Sequence, residues 1–181
     1  MAQTKGGKES KFGQVVQKAG NINVLSGNSS ASADGTTHAY SDEEKVAFVD
    51  WINYSLGEDA DLKKIIPISE NGNALFNACN NGIVLCKLIN DAVPDTIDER
   101  AINKKASHPV QISENNTLML NSARSIGCNV VNIDAQDVMA GTPHLILGLI
   151  WQIVKIGLFA RINLANVPGL ARLLEGDETL E

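Results

Sequence analysis

The stretch HLILGLIWQIVKIGLFARI, His144 to Ile162, decides how the rest of the chain is read. Only Gln152 and Lys155 interrupt its apolar run from Leu145 to Ala160. A membrane-spanning helix needs roughly 20 consecutive apolar residues, and this run is shorter, about 24 Å long at helical rise. The segment is therefore expected to be the central buried helix of a compact domain, not a membrane span. At about 100° per residue, Trp151, His144, Lys155, Gly148, Phe159 and Gln152 fall within one arc of roughly 100°. Everything outside that arc is apolar. Other helices should surround this one on most sides, leaving one narrow outlet to water at Lys155 and Gln152.

Working outward, Thr142 and Pro143 read as N-cap and first position of this last helix. Before them, Asp134 caps a short turn, AQDVMA, preceded by the extended connector NVVNI. A helix is predicted after Pro109, with Gly127 as its C′ residue. Upstream, PDTIDERAINKKASHP reads as a long surface loop with Lys104 and Lys105 at its basic end. ALFNAC and GIVLCKLINDAV are two shorter helical pieces separated by the turn signal Asn80-Asn81-Gly82. Ser41 begins the ordered region as the N-cap of SDEE, a capping-box pattern. The helix that follows carries Val49, Ile52 and Leu56 on one stripe, with Phe48, Trp51 and Ser55 beside it. No run alternates well enough to make a sheet, so the domain, 41–162, is expected to be all-α.

Residues 1–40 read as a flexible leader, too poor in apolar groups to offset the entropy of ordering. Four lysines against Glu9 and Asp34 make it slightly basic, and it could order on a partner. The chain of 181 residues has a net charge of −6 and a pI near 5.1. That balance argues against a nucleic-acid binder, whose footprint is a basic face. No apolar segment of a secretory signal is visible near the N-terminus. Cys79, Cys86 and Cys128 lie in apolar patterns and read as buried free thiols in a reducing compartment. No phosphate-binding glycine motif, GxSxG or HExxH is present. Cys79 and Cys86 lack zinc spacing, GEDADLKK lacks calcium-loop spacing, and His38, His108 and His144 are scattered. No enzyme, metal or cofactor is expected; an interaction module is the better reading.

Four stretches carry a resemblance: THAYSDEEKVAFVDWIN (37–53), NGIVLCKLINDAVPDTIDERAINKK (81–105), ENNTLMLNSARSIGCNVVNI (114–133) and GTPHLILGLIWQIVKIGLFARINL (141–164). They resemble a calponin-homology domain, in particular the first one of the fimbrin and plastin actin-bundling family. The resemblance implies four main helices with short connecting helices and a central C-terminal helix. It implies a cytoplasmic, non-catalytic module of the actin cytoskeleton that binds filamentous actin. Contact surface is implied on the first helix (Glu44, Lys45, Phe48), on the basic loop (Arg100, Lys104, Lys105) and on the last helix (His144, Gln152, Lys155). Family members carry four such domains in two pairs behind a calcium-binding module. This chain would then be a fragment, with 163–181 opening the linker to a second, absent calponin-homology domain. The alternative is a scaffold or autoinhibitory module whose main partner is that second domain.

Overall fold

The computed structural model describes residues 41–162. The leader expected over 1–40 and the linker expected over 163–181 lie outside the described residues. Six α-helices follow in order: α1 Asp42–Leu56, α2 Ala74–Cys79, α3 Ile83–Ala92, α4 Pro109–Ser125, α5 Ala135–Met139 and α6 Pro143–Arg161. Single 3-10 turns at Ala60–Leu62 and Glu99–Ala101 punctuate the connections. Four longer helices, two short ones and no strand among the described residues match the expected all-α architecture.

The apolar stretch that opened the reading is α6, and it touches α1, α2, α3 and α5. Its 19 residues make it long and apolar enough to cross a membrane by length and composition alone. The reason it does not read as a span is packing: Ile146, Leu149, Ile150, Ile153 and Val154 are buried in the core. Each such side chain contributes about 1.5–3 kcal/mol relative to exposure. The predicted outlet is where expected. His144, Lys155 and Phe159 are exposed, and Gly148, Trp151 and Gln152 are half-buried.

α3 is the other central element, buried from Ile83 to Ile89. It meets α6 at small residues. A Cβ placed on Gly157 would lie 3.1 Å from both Cα and Cβ of Ala92, so glycine permits the close approach. At the far end of α6, Arg161 pairs with Asp91 of α3 at 3.0 Å and lies over the Trp51 ring of α1, 5.2 Å from its centroid. One side chain thus ties three helices together.

α1 starts as its sequence suggests. The Ser41 hydroxyl accepts the Glu44 N–H at 3.1 Å, and three acids occupy the first turn, where the helix dipole favours them. The reciprocal half of a capping box forms instead at α5. There the Asp134 carboxylate accepts from Gln136 and Asp137, and Asp137 accepts the Asp134 N–H. At α6, Thr142 occupies the N-cap position but makes no side-chain capping bond, while Pro143 sits in the first turn as predicted. The connector NVVNI is not extended throughout: it turns at Val131 and Asn132, the latter at φ 65°.

The turn between α2 and α3 is locked to α4. Asn115, fully buried, donates to the carbonyls of Asn81 and Asn103 and accepts the Asn103 N–H. Asn116 donates to the Asn80 carbonyl at 2.8 Å. Gly82 sits between them at φ 80°, and a Cβ there would come within 2.9 Å of Asn116 Oδ1. Only glycine satisfies both the left-handed backbone and the missing space.

Candidate functional site

The nine candidate residues divide into three groups with different fates. In the first group, on α1, the helical period decides. Lys45 is four residues before Val49 and shares its inward stripe, so it is only 8% exposed. Its ammonium donates to the Gly72 carbonyl at 3.2 Å and lies 3.6 Å from Asp42. Phe48, 3% exposed, packs its ring 6.2 Å from that of Trp151. Lys45 and Phe48 are therefore corrected from contact surface to supports that fasten α1. Glu44 is half-buried, and burial raises its pKa above the ordinary carboxylate value. The exposed face of α1 instead offers Asp42, Glu43, Asp50 and Tyr54.

The second group lies in the loop between α3 and α4. Ile97, Ile102 and Ala106 are buried and pin that loop to the core. Beneath it sits a lysine that sequence reading missed. Lys87 of α3 is buried, and its ammonium meets Asp59 at 3.0 Å, Asp61 at 2.8 Å and Glu99 at 2.6 Å. Lys104 shares two of these acids, Asp61 at 2.6 Å and Glu99 at 3.3 Å. Burial by itself would lower the Lys87 pKa, but hydrogen bonds to Asp61, Glu99 and Asp59 outweigh it and hold the pKa above its ordinary value. Hydrogen bonds from Lys104 and Lys87 lower the Asp61 pKa. Burial pushes Glu99 upward, but Lys87 and Lys104 overcome it and hold it low. Lys104, although its side chain is 40% exposed, is thus committed to an ionic knot at the edge of the core. Arg100 is exposed and closes a forked pair with Asp98, its guanidinium reaching Oδ2 at 2.8 Å. Lys105 is exposed and, among the described residues, has no ion-pair partner.

The third group is on α6. His144 and Lys155 are exposed on the outward arc. Gln152, although on that arc, is bonded twice to one residue: its Oε1 accepts the Asn129 N–H at 2.6 Å, and its amide donates to the Asn129 carbonyl at 3.0 Å. It braces the connector after α4. Phe159, 66% exposed, and Ile162 extend the arc as apolar surface beside Lys155. Sequence reading had placed Phe159 on this arc without counting it as a candidate. The free groups are therefore Lys105 in the loop and His144, Lys155 and Phe159 along one face of α6.

The three cysteines are free and buried. Burial pushes the Cys79 and Cys86 thiols up to about 12 and Cys128 to about 11, so none is a ready nucleophile or metal ligand. Among the described residues no group of three or more His, Cys, Asp or Glu side chains is arranged to hold a metal.

Comparison with known proteins agrees with this architecture. A family model, calponin homology (CH) domain, matches residues 42–158. The chain is 59% identical over 170 residues to fimbrin of Dictyostelium discoideum and 56% identical to plastin-3 of Homo sapiens. These alignments cover 94% of this chain but 28% and 27% of those proteins, so the chain spans about a quarter of their length. The crystal structure of the actin-crosslinking core of Schizosaccharomyces pombe fimbrin superimposes with a TM-score of 0.62 at 43% identity, covering 66% of this chain and 26% of that one. The helical order, the final helix buried along its inward face and the match from α1 through nearly all of α6 lead to one conclusion: the chain belongs to the calponin homology domain family.

Proposed function

We propose that the domain is a non-catalytic filamentous-actin-binding module and part of an actin-bundling protein of fimbrin type. The observation that carries this is its likeness to a chain described as an actin-crosslinking core, at 43% identity. The intact protein would add a second calponin-homology domain and work in the cytoplasm on the actin cytoskeleton. An acidic domain facing an acidic filament gains nothing from long-range attraction, so contact must be local. Lys155, His144 and Phe159 on the outward arc of α6, together with Lys105, supply the cationic and apolar groups for it. Lys104 contributes indirectly, by holding the loop that presents Lys105.

Co-sedimentation of the 181-residue chain with actin filaments tests the reading. The parent should pellet with filaments. Lys105→Glu should fold normally and weaken binding by about two- to tenfold, since an exposed pair is worth roughly 0–1 kcal/mol and reversal adds repulsion. Lys155→Glu combined with Phe159→Ala should weaken it further. Failure of the parent to pellet, with the fold intact, would refute the proposal and favour a second calponin-homology domain as the main partner.

A further inference from the structure

The sequence contains two Asn-Gly pairs, Asn71-Gly72 and Asn81-Gly82. The pair is chemically reactive. The glycine nitrogen can attack the asparagine side-chain carbonyl carbon, and the missing Cβ leaves that nitrogen unshielded. The attack is intramolecular, so local geometry sets its rate.

The two pairs differ sharply in geometry. At the second, Gly82 is buried, and its N–H already donates to the Cys79 carbonyl at 3.1 Å. The Asn81 side-chain oxygen accepts the Ile83 N–H at 3.0 Å, and the Asn81 carbonyl accepts from Asn115 at 3.1 Å. Bringing nitrogen to carbon there requires dismantling the lock between the turn and α4. At the first pair, Asn71 and Gly72 are both exposed, and a Cβ on Gly72 would meet nothing within 4 Å. Among the described residues, neither the Asn71 side-chain amide nor the Gly72 N–H has a hydrogen-bond partner. The bonds of the pair engage its main-chain groups alone: Asn71 N–H donates to the Ser69 hydroxyl at 3.2 Å, the Asn71 carbonyl accepts the Ala74 N–H at 3.3 Å, and the Gly72 carbonyl accepts from the Lys45 ammonium at 3.2 Å.

We infer that Asn71 is a site of spontaneous deamidation and isoaspartate formation, and that the fold protects Asn81 from the same reaction. The Gly72 nitrogen bonds to Asn71 Cγ, the Cγ–NH2 bond breaks, and ammonia leaves with the proton from the Gly72 N–H. Water then opens the cyclic imide at either carbonyl, giving aspartate or isoaspartate. The net change is water in and ammonia out; no oxidant or enzyme is needed. Both products add a negative charge. The isoaspartyl product also routes the main chain through an extra methylene immediately before Gly72. That residue's carbonyl anchors the buried Lys45 of α1, so the modification reaches the first turn of α1.

The test is incubation of the 181-residue chain in mildly alkaline buffer at body temperature, with a parallel sample held in denaturant. Peptide mapping by mass spectrometry and isoaspartate-specific methyl labelling follow conversion at each site. In the native sample Asn71 should convert at least about tenfold faster than Asn81, the gap reflecting the geometric restraint on Asn81. In denaturant the two rates should converge. Asn71→Gln should abolish the native signal and melt as the parent does. The inference is overturned if native Asn81 converts as fast as Asn71, or if Asn71 converts only in denaturant. Converted protein, once separated, should show faster amide exchange in the first turn of α1. Unchanged exchange there would sever the proposed link to Lys45.

Discussion

Replacing Lys87 with Met removes one charge from the ionic knot while keeping most of the buried stem. Asp59, Asp61 and Glu99 then face one another with Lys104 alone to balance them. Breaking a buried pair by removing one partner typically costs about 3–5 kcal/mol. The Lys87 side chain is only 6% exposed, but its acids are 22%, 29% and 46% exposed and can take up water. That access and the remaining Lys104 bring the expected loss to about 2–3 kcal/mol, or on the order of 10 °C in melting temperature for a domain of this size. Denaturant titration at neutral pH should show a lower midpoint with an unchanged slope. The pH dependence gives an independent check. Asp61 and Glu99 titrate below their ordinary values of 3.8 and 4.5, so their contribution is present above those values and lost as pH falls through the lower folded ones. Lys87 titrates above its ordinary 10.5, so its contribution is present below that pH and lost as pH rises beyond it. The gap between parent and variant should thus be widest between those limits and close on acidification. A variant within about 0.5 kcal/mol of the parent at neutral pH would refute the idea that the knot stabilises the fold. So would a gap that persists in strong acid.

Other expectations follow from the same contacts. Ile153→Ala should cost about 2–5 kcal/mol by leaving a cavity under α6, measured by denaturant midpoint; a loss below 1 kcal/mol would contradict its burial. Gly82→Ala should cost more than about 1 kcal/mol, because it combines a left-handed backbone with a clash against Asn115 and Asn116; calorimetry would show it. Thiol alkylation without reductant should be slow in the folded protein and reach all three cysteines on unfolding; fewer modified thiols would mean a disulfide. Lys104→Glu should lower the melting temperature and Lys105→Glu should not, separating the knot from the free cation.

Much of the scaffold could be read along the chain because it depends on local chemistry. The outward arc of α6, the Asp134 cap and the first turn of α1 follow from helical period and capping residues. The candidate surface was less legible because it depends on neighbours distant in sequence. Lys104 looks like a free loop cation until Asp61, 43 positions earlier, is folded against it. Gln152 looks like a polar outlet until Asn129 closes on it. Lys45 is the instructive case. Its spacing to Val49 already placed it on the buried stripe, yet its charge and the family resemblance argued for the surface. Asn115 and Asn116 gave no local sign of being core residues. Their partners are main-chain carbonyls of another turn, which no side-chain pattern records.

The position of Arg161 has a mechanical consequence. Arg161 is the last residue of α6, so a pull applied at that end of the helix enters at its last turn. Arg161 is bonded there to Asp91 of α3 and seated on Trp51 of α1. A pull at that end cannot unzip α6 one hydrogen bond at a time without first tearing this fastening. The force is instead spread sideways into two other helices, so the end of α6 is held by its neighbours as well as by its own hydrogen bonds.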